Sequence, residues 1–366
     1  MVTDKVKLQC LFRRTKTAAA CALDIVLFKH YHEITKQQRV VRMCTPKVSI
    51  ICLLYNMKDY IAQSLDGMLM QKTDFPYEII VHDDASTDGS TEILREYSEK
   101  YPDIIVPIFQ VENQHSKKVA ITKTFIFPLI RGEYVCYCEG DDYWTDPLKL
   151  QKQYDFMSSH PDYSLCAAKI RQINCSDPSV PDKFIGSFET GEVTIEQILA
   201  QKDRQAFCTC SLFIRKNVFF ARPEDFPGRG ERVIILWLAL NGKVWFINEE
   251  VGVYRRARPG SWTDRSWNRG NETKIQTYFG YIRVYKRFND YCEKRFSGII
   301  QEILLQYMKM SLRAGASISR LKSDDMQEFY NELTDQNKRK LLVYKILLPA
   351  RRAVSAIKTK LKSKHR

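Results

Sequence analysis

KVSIICLLYN, residues 47–56, is an apolar run of strand length that stops at Tyr55 and Asn56. After Lys47 only Ser49 interrupts it, so the run does not offer one wet face and one dry face. A strand of that kind is buried on both sides, as in a parallel sheet. The chain then alternates. Residues 57–70 carry Ile61, Leu65, Met68 and Leu69 at helical spacing, and residues 77–81 form a second apolar strand. Residues 87–97 read as a helix, 104–109 as a third strand, 117–130 as a third helix limited by Pro128, and 134–138 as a fourth strand. This rhythm predicts an α/β fold: a mostly parallel, Rossmann-like sheet flanked by helices on both faces, with right-handed crossovers. Ligands of such sheets bind beyond the carboxyl ends of the strands. Three loops there are rich in polar residues: Tyr55-Asn56, HDDASTDGS at 82–90 and CEGDDYWTDP at 138–147.

Further along, the pattern predicts a helix at 147–159, strands at 164–170 and 208–214, and an apolar helix at 232–240. Asn241-Gly242 reads as its left-handed cap. Strands at 244–247 and 251–254 close the sheet, and the chain is helical beyond Trp267. The expected organisation is a basic helical extension at 1–46, a catalytic domain at 47–265 and a helical region at 266–366. The apolar segment 17–28 is short and carries Asp24, so it reads as a packed or surface-lying helix rather than a signal peptide.

The chain has 366 residues, 44% of them hydrophobic, enough to bury a large core. Its 11 cysteines are odd in number and form no CxxC, which reads as reduced core cysteines rather than a disulfide framework or zinc site. No run reaches the roughly 18 apolar residues of a membrane span.

Asp83 and Asp84 directly follow a buried strand. An acid there can accept hydrogen bonds from a nucleobase or ribose, but the same stretch also suits a turn and helix cap. Asp141 and Asp142 follow another strand, with Glu139 two residues earlier. Adjacent carboxylates repel unless a cation shares them, and hard divalent ions take oxygen ligands. The pairing therefore suits a diphosphate held through Mg²⁺ or Mn²⁺, against the alternative of a solvated acidic turn. Trp144 beside them is read either as a sugar-stacking ring or as packing.

PKVSIICLLYN (46–56), EIIVHDDASTDGSTEIL (78–94) and GEYVCYCEGDDYWTDPLKLQKQYDFM (132–157) resemble, in order and spacing, the opening strand, second-strand loop and DxD-type region of family-2 glycosyltransferases with a GT-A fold. The resemblance extends from Pro46 to about Cys166, and more loosely to Trp262. It implies inverting transfer of a sugar from a nucleotide diphosphate sugar, with UDP the usual nucleotide, to a glycan or lipid-linked acceptor. By position, Tyr55 would lie against the base, Asp84 would bond base or ribose, Asp141 would contact ribose or metal, and Asp142 would be the main metal ligand. In GRGERVIILWLALNGKVWFINEEVGVYR (228–255), Glu231 stands where the family usually has an aspartate general base, with Glu224 and Asp225 as rivals. VYRRARPGSW (253–262) has Ala257 where the family often has a histidine, and offers Arg255, Arg256 and Arg258 as diphosphate clamps or as a solvated basic loop. NQHSKK (113–118) lacks the family's usual glycine. The alternative is a catalytically silent nucleotide-sugar-binding scaffold.

The formal net charge is +14, and residues 336–366 hold 11 Lys and Arg with no Asp or Glu. Leu342, Ile346, Leu347, Ala350, Val354 and Ile357 recur there at helical spacing around Pro349. A basic amphipathic helix suits an anionic membrane surface, or packs its stripe on the catalytic domain. Nucleic acid is not expected, since no recognition motif accompanies the charge. The expected location is cytoplasmic, peripheral on the inner face of a membrane.

Overall fold

The structure is a computed structural model that describes residues 45–228, 230–258, 260–261, 270–323 and 326–364. The N-terminal extension read at 1–46 lies outside the described residues, save its last two positions. From Pro46 onward the residues form one unit.

The apolar run becomes β1 (Val48–Leu54), followed by α1 (Lys58–Leu69), β2 (Tyr77–Asp83), α2 (Ser90–Lys100), β3 (Ile105–Phe109) and β4 (Tyr134–Tyr137). Next come β5 (Tyr143–Trp144), α3 (Lys149–Ser159), β6 (Tyr163–Asn174), β7 (Lys183–Ile185), β8 (Gly191–Glu192), α4 (Ile195–Ala200), β9 (Phe213–Arg215) and α5 (Lys216–Phe220). The remainder is α6 (Glu231–Leu240), β10 (Lys243–Arg256), α7 (Gly270–Tyr291), α8 (Ser297–Arg313), α9 (Ile318–Leu321), α10 (Gln327–Glu332) and α11 (Asp335–Lys364).

One sheet holds the strands in the order β3-β2-β1-β4-β9-β6-β10-β5, with β7 on β6 and β8 on β10. β3, β2, β1 and β4 are parallel, as the alternation predicts. β9 runs antiparallel between β4 and β6, while β6 and β10 pair in parallel, so the sheet is mixed. Side chains alternate across it. Val48, Ile50 and Cys52 join one core, with Ile61, Leu65 and Met68 of α1. Ile51 joins the other, beneath α6, α7 and α8.

Three local expectations change. Residues 117–130 are not a regular helix: Lys118 turns left-handed (φ 61°), and only Thr122–Ile126 and Phe127–Leu129 form short wide and tight helical turns. Pro128 has no N–H to donate back along a helix. Cys208 does not start a strand, because Thr209–Ser211 is a helical turn and the strand begins at Phe213. Asn241 is not left-handed (φ −114°). Gly242 is required by proximity, since a Cβ there would lie 2.7 Å from the Cβ of Ser164.

Gly67, in the middle of α1, has a similar role. A Cβ there would lie 2.8 Å from the Trp144 carbonyl oxygen and 2.9 Å from its nitrogen. This close approach seats β5, the segment directly after Asp141 and Asp142. Glycine to alanine inside a helix ordinarily stabilises by about 1 kcal/mol. Here the sign reverses: Gly67→Ala is expected to destabilise by roughly 1–3 kcal/mol through overpacking against backbone. A lowered denaturation midpoint in urea checks this, and an unchanged or raised midpoint contradicts it.

Candidate active site

At the carboxyl ends of β1, β2 and β4 lies a cavity of about 580 Å³, lined among others by Tyr55, His82, Asp84, Glu139, Asp141 and Arg258. Two loops form one wall. The Asn56 side chain accepts from the Thr87 N–H (2.8 Å), and its own N–H donates to Ser86 Oγ (3.0 Å), so the turns after β1 and β2 are tied together. Tyr55, 39% exposed, stands at the rim.

The two acids after β2 divide their work. Asp83 accepts from the Ser86 N–H (3.0 Å) and hydroxyl (2.6 Å) and from Thr91, which makes it the turn acceptor. Asp84 lines the cavity, and its two oxygens accept the N–H groups of Gln114 (2.7 Å) and His115 (3.0 Å). That clamp orders residues 113–116 along the cavity. His115 contributes a backbone donor and no paired side-chain base.

After β4 the chain keeps bonding to β1: Cys138 N–H donates to the Ile51 carbonyl and Gly140 N–H to that of Leu53, each at 3.0 Å. The Asp142 N–H then turns back to the Glu139 carbonyl (2.9 Å). The turn gathers the carboxylates of Glu139, Asp141 and Asp142, with oxygens all within 4.8 Å of one another. Among the described residues this is the one group of His, Cys, Asp and Glu close enough to hold a metal ion. Burial, then the charges of Asp141 and Glu231, push the Glu139 carboxyl up to about 7. Burial, then Asp141 and Glu139, hold Asp142 well above the carboxylate range, opposed by the Arg255 N–H. Burial and the like charges around them raise the cost of ionising Glu139 and Asp142.

The arginines also separate. Arg255 braces the turn from behind: its N–H donates to Asp142 Oδ1 (2.9 Å), Nη1 donates to the Asp141 carbonyl (2.7 Å), and the guanidinium lies 4.4 Å from the Tyr143 ring. Ala257 turns left-handed (φ 56°), and Arg258 comes back onto Asp141 with Nε 2.9 Å from Oδ2. Arg258 lines the cavity; Arg255 and Asp142 are outside its lining. Trp144 is a packing residue: it is 2% exposed, its Nε1–H donates to the Cys210 carbonyl (2.7 Å), and Lys149 Nζ lies 4.1 Å from its ring.

Glu231 opens α6, and both its oxygens accept from Gln205 Nε2 at 2.8 Å. Burial raises its carboxyl above the ordinary value, opposed by hydrogen bonds from Gln205 and Thr209. Glu231 is not in the cavity lining, but its charge reaches Glu139. Its rivals face elsewhere: Glu224 pairs with Lys123 at the surface, and Asp225 is exposed. Sequence reasoning placed Tyr55, Asp84 and Asp141 where the cavity is. Arg258, one of the three arginines offered as clamps, lines it too, whereas Glu139 and His82 carry no role in that reading. For Glu139 a signal existed, an acid at a strand end two residues before an acidic pair.

A sequence model described as Glycosyl transferase family 2 matches residues 49–219. The putative teichuronic acid biosynthesis glycosyltransferase TuaG of Bacillus subtilis is 34% identical over 237 residues, covering 62% of this chain and 86% of TuaG. An uncharacterized protein of Mycobacterium tuberculosis is 34% identical over 231 residues, covering 60% of this chain and 62% of its own length. The chain thus spans less than two thirds of the mycobacterial relatives it matches. Among solved structures, Staphylococcus aureus TarS 1–349 in complex with UDP-GlcNAc superimposes with a TM-score of 0.51 at 16% identity, covering 82% of this chain and 89% of that one. That likeness is one of fold.

Proposed function

From the membership of this chain in glycosyl transferase family 2, we propose that it transfers a sugar, with inversion, from a nucleotide diphosphate sugar to an acceptor hydroxyl of a glycan or lipid-linked glycan. UDP is the favoured nucleotide. The observation that carries this reading is one cavity faced by Asp84 on one side and by Glu139 and Asp141 on the other. A polar end for the nucleoside and an acidic end for the diphosphate are what such a donor needs.

The donor set at the acidic end fits a divalent cation. All three groups offer carboxylate oxygens, and burial with neighbouring negative charge opposes the ionisation of Glu139 and Asp142. Glu139 and Asp141 face the cavity and would hold Mg²⁺ or Mn²⁺, with Asp142 behind them. When bound, the ion supplies charge neutralisation for the leaving diphosphate. Asp142, the main metal ligand by resemblance, belongs to the same cluster, with Oδ1 accepting the Arg255 N–H.

The protein's own groups have distinct roles. Tyr55 at the rim offers a ring to the base. Asp84 accepts from the base or ribose with the lone pairs left over from its two backbone donors. Arg258 brings positive charge to the diphosphate end. Glu231 takes the acceptor hydroxyl proton while that oxygen bonds to the anomeric carbon and the bond to the diphosphate oxygen breaks. Burial raises its carboxyl in the direction a base working near neutrality needs.

A silent nucleotide-sugar binder has one observation in its favour, the position of Glu231 outside the cavity lining. The proposed setting is the inner face of a membrane, as a peripheral protein. No described helix is long and apolar enough to cross one.

Thermal shift with a panel of nucleotide sugars, with and without Mn²⁺, tests the donor site. At a hundredfold excess over Kd a ligand stabilises by about 2.7 kcal/mol, a rise of roughly 5 °C. A UDP-sugar with Mn²⁺ is expected to give that rise, and release of UDP on adding acceptor distinguishes enzyme from silent binder. No shift with any nucleotide sugar in either condition refutes the reading.

A further inference from the structure

Exposed large apolar side chains are scattered singly over the described residues up to Tyr291, then four fall together on α11. Leu342, Val343, Ile346 and Leu347 are all exposed, Ile346 at 76%. The same helix is anchored on the opposite side by buried Leu341 and Leu348, and it packs on α8. At 100° per residue the four exposed side chains span an arc of about 140° facing away from those anchors. The stripe expected from sequence is therefore divided: one apolar edge holds the helix to the protein, and a second faces outward. Isolated exposed apolar residues need no explanation, but a contiguous row does.

Positive charge flanks this row on the α8 side, where Lys340 also lies 3.6 Å from Glu302. A groove of about 440 Å³ between α8 and α11 is lined by Lys309, Arg313 and Lys340 together with Met310, Val343 and Leu347. Beyond Ala350 the sequence adds seven Lys and Arg and no acid. We propose that the outward face of α11 is a docking surface for an anionic lipid bilayer. The inference rests on the membrane setting proposed above and not on the donor site.

The two halves of the surface choose this occupant over others. A second copy would cover the apolar row but bring one acid-free basic segment against another. A polyanion such as nucleic acid would satisfy the charge but leave the row in water. A bilayer with anionic headgroups satisfies both: apolar side chains enter the headgroup boundary, and the basic residues near the surface are drawn to the headgroup charge. No helix need span the membrane for this.

The full chain is mixed with vesicles of phosphatidylcholine, with or without phosphatidylglycerol, and sedimented. Binding is expected to the anionic vesicles and to weaken with added salt as screening grows. The double variant L342D/I346D removes two side chains from the row and is expected to bind at least tenfold more weakly. Retention of its donor-induced thermal shift shows that it is folded. Equal binding by parent and variant overturns the proposal, as does equal binding to neutral and anionic vesicles. A dimer of the parent that the variant dissolves, seen by light scattering, also overturns it, since the row is then a contact between copies. Vesicle binding without any donor shift leaves this surface standing and removes only the donor reading.

Discussion

Glu231→Gln is expected to lower turnover by about a hundredfold to ten-thousandfold, the usual span for a lost general base, with donor affinity within about twofold of the parent. The substitution is nearly isosteric. The glutamine oxygen still accepts from Gln205, whose amide now holds both carboxylate oxygens at 2.8 Å. What disappears is the capacity to take a proton. Donor contacts are expected to persist because Glu231 is absent from the cavity lining. Initial rates of UDP release with saturating acceptor, beside donor titration by calorimetry, separate the two quantities. Parental turnover in Glu231→Gln moves the base elsewhere. Loss of donor binding makes Glu231 a support of the cavity instead.

The second large effect is expected at Asp141. Asp141→Asn removes a charge that faces the cavity, sits among three clustered carboxylates and pairs with Arg258 at 2.9 Å. A loss of about 3 kcal/mol of transition-state stabilisation, roughly a hundredfold in kcat/KM, is expected, together with weaker metal-dependent donor binding. Asp142→Asn is the informative partner. It keeps an oxygen for the Arg255 N–H and is outside the lining, so its effect on donor affinity should fall well short of that at Asp141. If Asp142→Asn costs more donor affinity than Asp141→Asn, the leading role belongs to Asp142 after all.

The contrast between these neighbours shows how far sequence can be read. The strands β1 to β4 were legible because each apolar run is bounded by turn chemistry and separated by helical spacing. The acidic loops were legible because they follow those runs directly. Asp83 and Asp84, or Asp141 and Asp142, look alike as letters, while one of each pair lines the cavity. Deciding which one requires the partners: Thr91 and Ser86 for Asp83, the Arg255 N–H for Asp142. Arg258 is one of three neighbouring basic residues, and nothing local indicates which of them returns to Asp141. Residues 117–130 had helical composition, but Pro128 and the left-handed Lys118 broke them up.

The pairing of Arg258 with Asp141 joins residues 117 positions apart. A growing chain emerges at roughly 5–20 residues per second, so the acidic turn is made on the order of ten seconds before the cation that faces it. Until β10 is laid beside β6, that turn has no backbone donor from Arg255 and no guanidinium from Arg258. Nascent chains halted before β10 should therefore carry an open, self-repelling acidic knot beyond the carboxyl end of β4, and the last strand to arrive is the one that closes it.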